Sequence, residues 1–103
     1  MEQMMIKKIY LETDRFYNKE DMSDYLQEVF EFPEYFGRNL DAAYDCLSEV
    51  SEDTNIYIDR DGLIEMASDE YAYKVLRMLV DVCQSNPHLK LKLRRIRTED
   101  NIL

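Results

Sequence analysis

Two hydrophobic periods alternate along this chain, and their order limits the folds open to it. From Leu89 to Arg94 the residues read Leu-Lys-Leu-Lys-Leu-Arg, a strict period of two that gives a strand one apolar and one charged face. Just before it, Ala72, Val75, Leu76, Leu79, Val82 and Cys83 recur at helical spacing, the stripe of an amphipathic helix. Ser68 stands where a cap is needed, Asp69 and Glu70 face the positive end of the helix dipole, and Asn86-Pro87 stops the helix.

The same alternation runs through the first half. Met4, Met5, Ile6, Ile9, Tyr10 and Leu11 make residues 4–11 a strand interrupted by Lys7 and Lys8. Asn18 caps a helix striped by Met22, Tyr25, Leu26, Val29 and Phe30, and Pro33 ends it before Phe32. Asn39 caps a second helix of about residues 40–49, with Leu40, Ala43, Cys46 and Leu47 inward. Residues 54–58 read as a short strand and residues 63–67 as a short helix. The order is strand, helix, helix, strand, helix, helix, strand. Strands joined by helical crossovers pair in parallel. The charged face of the last strand puts the helices mainly on one side. The expected fold is an α/β two-layer sandwich, with a three-stranded parallel sheet and about four helices in one domain spanning residues 1–103.

Charge narrows the partners. The formal net charge is −9, which repels nucleic acid and anionic membranes as main partners and favours something cationic. Residues 12–53 hold thirteen acids against three bases, and residues 87–103 hold five bases against two acids. An acidic face therefore belongs to the first half and a basic patch to the end. No apolar run reaches the ~18 residues of a membrane span. Lys7 and Lys8 break any signal-peptide core near the start. Two cysteines make no disulfide framework, so a reducing, cytosolic setting is expected; separately, the protein is expected to be monomeric when free.

The second helix carries the candidate site. At ~100° per residue, Asp41 and Asp45 stand ~40° apart on its outward face, with Tyr44 beside them. Like charges at this spacing destabilise an isolated helix by a few tenths of a kcal/mol. Asp41 is compensated by the helix dipole, whereas Asp45 is not. The preceding loop, Pro33 to Asn39, brings two adjacent aromatics, Tyr35 and Phe36, that a short loop cannot easily bury together. Rigid aromatics next to selecting charges have the make-up of a binding surface. Gly37 is one of only two glycines and is expected to supply a left-handed turn that aims the loop. A solvated acidic face is the plain alternative. The basic strand (Lys90, Lys92, Arg94, Arg95, Arg97) has little aromatic interleaving, and such charge usually guards an exposed strand. Cys46 and Cys83 read as buried thiols, and a single histidine, His88, offers no metal or cofactor site.

The run Pro33-Glu34-Tyr35-Phe36-Gly37-Arg38-Asn39-Leu40-Asp41-Ala42-Ala43-Tyr44-Asp45-Cys46-Leu47 resembles the hallmark segment of the barstar family, intracellular inhibitors of the ribonuclease barnase, whose pattern is roughly PEYYGxNLDALWDCL. The element order over the rest of the chain fits as well. The resemblance implies a barstar-like fold and a non-enzymatic role. Loop and second helix would plug the cleft of one basic, extracellular-type ribonuclease, one-to-one, without cofactor. It puts Tyr35, Phe36, Gly37, Asn39, Asp41, Tyr44 and Asp45 on the inhibitory surface, with Asp45 in the place of an RNA phosphate. Asp81 on the long helix joins them by alignment. Departures from the pattern are Phe36 for Tyr, Tyr44 for Trp, Ala43 for a larger aliphatic, Glu49 for a helix-ending Gly, and the cation Arg38. Two other readings compete: a barstar-like module for a different basic protein, and an enzyme using Asp41 and Asp45 as an acid/base pair. The last needs a concave, partly dry site.

Overall fold

The computed structural model describes residues 5–94. In chain order it has strand β1 (Lys7–Tyr10), a 3-10 turn (Thr13–Arg15), helices α1 (Lys19–Phe30) and α2 (Leu40–Ser48), strand β2 (Thr54–Asp59), helices α3 (Arg60–Ala67) and α4 (Glu70–Ser85), and strand β3 (Leu89–Arg94). The sheet has three strands in the order β1-β2-β3, all parallel. Ile9, Ile56 and Leu91 share one register row, and with Thr54, Ile58 and Leu89 they form the face that meets the helices. The expected α/β sandwich is the observed one.

Caps set the helix boundaries. Asn18 Oδ1 accepts from Asp21 N at 2.8 Å and starts α1. The helix closes on Glu31, which takes a left-handed φ of 57° ahead of Phe32-Pro33. Asn39 Oδ1 accepts from Ala42 N at 2.7 Å and starts α2. Two boundaries differ from the sequence reading. The N-cap of α4 is Asp69, whose carboxylate takes both Tyr71 N and Ala72 N. Ser68 N instead closes the turn on Glu65 O. An ionised cap accepts two amide protons and meets the dipole better than a hydroxyl. Helix α3 begins three residues early, because Asp59 both ends β2 and caps the helix through Gly62 N.

The first strand is shorter than residues 4–11. Met4 lies outside the described residues, and Met5 and Ile6 are exposed. Pairing starts only where β2 supplies partners, at Lys7 opposite Thr54. In β3 the alternation holds, but burial fades along the edge strand, from Leu89 at 2% exposed to Leu93 at 56%. Arg95 and Arg97 lie outside the described residues.

The core is built on Phe16, Met22, Leu26, Leu47, Ile56 and Leu79, all fully buried. Gly62 is buried against Thr13, and a methyl group there would meet Thr13 Oγ1 and lie 2.9 Å from its Cβ and Cγ2. A clash with a β-branched side chain has little room to relax. Gly62→Ala is therefore expected to lower stability by about 1–2 kcal/mol, overriding the ~1 kcal/mol that alanine gains in a helix, as measured by urea unfolding.

Candidate functional site: the α2 ridge and its two flanking grooves

The loop before α2 is anchored from below. Phe36 is buried in the core and meets Phe32 edge-on, with centroids 4.9 Å apart. Phe36 N donates to Pro33 O at 2.9 Å, and Gln27 Nε2 reaches the same carbonyl at 3.1 Å. Tyr35, its neighbour, is 84% exposed. The aromatic pair is thus divided between anchor and surface. Phe36 does not present its ring to a partner as the resemblance implied, because the core takes it; it holds the loop that presents Tyr35.

Gly37 is not the left-handed residue. That conformation falls on Arg38, at φ 57°, where a non-glycine residue costs ~1–2 kcal/mol. What makes glycine suitable at 37 is close approach, since a Cβ would sit 3.2 Å from that of Ala42. The turn swings Arg38 back onto α1, where its guanidinium meets Asp24 at 2.6 Å and Gln27 at 3.4 Å. Its charge is paired on α1.

Helix α2 then stands as a ridge between two grooves. On one flank Asp41 and Tyr44 face Tyr73, Arg77 and Asp81 of α4 across a groove of about 400 Å³. On the other, Asp45 and Tyr35 share a groove of about 370 Å³ with Phe30, Phe32 and Glu49. Tyr44 is half-buried, and its hydroxyl lies 2.9 Å from Ser85 Oγ, tying α2 to α4. Asp41, Asp45 and Asp81 are all exposed. Asn39 works as the cap of α2 rather than as a free side chain. So Asp41, Tyr44 and Asp81 come together in one groove and Tyr35 and Asp45 in the other, one turn of helix apart.

Sequence reasoning missed two cations here. Lys74 and Arg77 line the α2/α4 groove beside Asp41 and Asp81. Tyr73 beside it, and after it the charge of Asp81, raise the already high pKa of the Arg77 guanidinium. Both follow the α4 stripe at i, i+3 spacing on its polar side, where charge is ordinary, so no local signal marks them.

Fixed exposed carboxylates can bind cations but have no dry cavity in which to move protons. Among the described residues no cluster of three or more His, Cys, Asp or Glu could hold a metal. Cys46 lines the groove of Tyr35 and Asp45, Cys83 lines neither groove, and both thiols are half-buried rather than buried as the sequence suggests. Burial raises the Cys46 pKa, helped by Glu49 and Asp45, and pushes Cys83 up to about 11. A raised thiol pKa in the fold stabilises the protein below the ordinary thiol range, and that contribution is lost as pH climbs towards 11. Stability is therefore expected to fall between the ordinary thiol range and pH 11, more steeply than in Cys83→Ala, followed by thermal unfolding across that window.

The decisive comparison is with the family model described as "Barstar (barnase inhibitor)", which matches residues 6–96. The chain belongs to the barstar family. The match spans the described fold, and the three-stranded parallel sheet with its four helices is a barstar-like fold. A Bacillus subtilis (strain 168) protein named "Putative ribonuclease inhibitor YrdF" is 44% identical over 43 residues, 42% of this chain. The match spans 47% of that relative's length, about half of it. The family is one of inhibitors, not of enzymes. No described helix is long and apolar enough to cross a membrane.

Proposed function

We propose that this barstar-family protein inhibits a basic, extracellular-type ribonuclease by laying the α2 ridge and the Tyr35 loop into its active-site cleft. The observation that carries the reading is the ridge itself: Asp41 and Asp45 stand exposed on a short, well-capped helix, beside an exposed Tyr35 held by the buried Phe36. A ribonuclease cleft must bind phosphates, so it is cationic, and fixed carboxylates at phosphate-like positions complement it. Asp45 takes the place of a substrate phosphate. Asp41, Tyr44 and Asp81 receive a cationic side chain from the cleft rim in the α2/α4 groove. Because the loop and ridge are already formed, little ordering free energy is lost on binding. The acids of residues 12–53 steer encounter, which speeds association at low salt. The complex is one-to-one, the free inhibitor is a monomer, and it works in the cytosol.

Lys74 and Arg77 favour a second reading, in which the target is another basic protein that also carries a carboxylate to meet them. Titration into a barnase-type ribonuclease separates the two. Cleavage of a fluorogenic RNA falling linearly to zero at one equivalent supports the inhibitor. Full activity of each nuclease tried at several equivalents of this protein, with capture of a non-nuclease basic protein, supports the alternative.

A further inference from the structure

The sheet has a second face, and its charge is opposite to that of the α2 ridge. Strand register places Lys8, Asn55 and Lys90 in one row, Tyr10, Tyr57 and Lys92 in the next, and Asp59 beside Arg94 in the third. These residues have the parity opposite to the buried Ile9, Ile56, Ile58 and Leu89, so they point away from the helices. Lys8, Lys90, Lys92 and Arg94 are exposed. Asp59 is the one acid in these rows, and its carboxylate is engaged as the cap of α3. Tyr10 and Tyr57 stack with centroids 4.8 Å apart and planes 14° from parallel. The Arg94 guanidinium lies 5.0 Å from the Tyr10 ring centre, and half of Tyr10 is exposed.

Lysines on edge strands guard against unwanted pairing, which accounts for Lys8, Lys90 and Lys92. It does not account for two stacked rings in the middle of them. In β3 alone the cations have no aromatic partner; the sheet supplies both rings, Tyr57 from the adjacent β2 and Tyr10 from β1 beyond it. Single-stranded nucleic acid matches this combination, because every nucleotide brings one phosphate and one π-face, and bases stack on tyrosine and on guanidinium planes without regard to sequence. An acidic polypeptide would satisfy the cations and leave the rings unused. We propose that the face of the sheet turned away from the described helices binds single-stranded nucleic acid, bases stacking on Tyr10, Tyr57 and Arg94 and phosphates meeting Lys8, Lys90 and Lys92. The formal net charge of −9 opposes approach and keeps this binding weak and salt-sensitive. The surface uses no residue of the α2 ridge, so it stands independently of the inhibitor reading.

A fluorescein-labelled ten-nucleotide oligouridylate, followed by anisotropy, tests it. Saturable binding is expected at low salt, with the logarithm of affinity falling against the logarithm of salt at a slope of about −2 to −3, as for three or four neutralised phosphates. Tyr10→Ala should weaken it ~10-fold, as loss of one stacked base does. Tyr10→Phe, which keeps the ring, should stay within about two-fold and separates lost stacking from lost fold. Lys92→Glu with Arg94→Glu should abolish the signal while circular dichroism stays that of the parent. The proposal is overturned by absence of saturable binding at low salt, by binding that the charge variants leave intact, by a Tyr10→Ala affinity equal to the parent's, or by displacement of the oligonucleotide by an equal concentration of decaglutamate.

Discussion

Asp45→Ala is expected to weaken binding of a basic ribonuclease by at least ~2 kcal/mol, or ~30-fold, while leaving the fold intact. The carboxylate is exposed in the free protein and shares a groove with Tyr35, so its loss leaves no cavity and no unpaired partner on this chain. In the complex the situation reverses. The cations that it met would remain desolvated without a counter-charge, and that penalty dominates truncation of a buried interfacial charge. The effect should fall mainly on dissociation, because the other acids of residues 12–53 still steer encounter. Asp45→Asn keeps the shape and loses only the charge, so it should behave nearly as the alanine does. A stopped-flow comparison of the two variants with the parent reads both rates. The same substitution should be neutral or slightly stabilising for the free protein, since it removes like-charge repulsion from Asp41 one turn away.

Asn86→Ala is expected to cost about 2–4 kcal/mol of folding stability, lowering Tm by at least ~10 °C. Asn86 is a buried polar residue at the α4–β3 corner, and its amide nitrogen donates to the carbonyls of Leu47 at 2.9 Å, Val50 at 3.0 Å and Ser48 at 3.4 Å. Its Oδ1 accepts from His88 N at 2.9 Å. One side chain thus ties together carbonyls of the last turn of α2 and of the chain just after it, adding to the bond that Leu47 O accepts from Val50 N at 3.2 Å. Glycine would usually end this helix, whereas Glu49 stands there at φ −97° and ψ 0°; Asn86 provides the satisfaction from outside. Asn86→Asp sharpens the test, because a carboxylate keeps the volume and the bond to His88 but faces three carbonyls without a donor. It should be at least as damaging as alanine. Calorimetry on both variants measures the loss. Since the same contacts fix where α2 points, both variants should also bind the nuclease more weakly at temperatures where they remain folded.

Most of the architecture could be read from the chain because it is written in short-range patterns. The Leu-Lys alternation of β3, the stripe of α4 and the Asn caps of α1 and α2 each act over a few residues and have one physical solution. What escaped notice depends on contacts distant in sequence. Asp59 could not be recognised as a cap without knowing that β2 runs straight into α3. The division of Tyr35 and Phe36 into surface and anchor depends on where Phe32 packs. The left-handed residue was expected at Gly37 and falls on Arg38, where the ion pair with Asp24 holds a strained backbone that local propensity disfavours. The candidate site follows the same division. Asp41 and Asp45 follow from helical spacing, while their separation into two grooves, and the cations Lys74 and Arg77 in one of them, follow only from how α4 packs on α2.

The central claim is that this protein occupies the place of RNA in a ribonuclease cleft, and competition measures that directly. With a barnase-type ribonuclease, a non-cleavable oligonucleotide analogue should be displaced from the enzyme as this protein is added, and the association rate of this protein should fall in proportion to the fraction of enzyme that already holds the analogue. Association at a rate that the analogue leaves unchanged, or a ternary complex holding enzyme, oligonucleotide and this protein together, would contradict it.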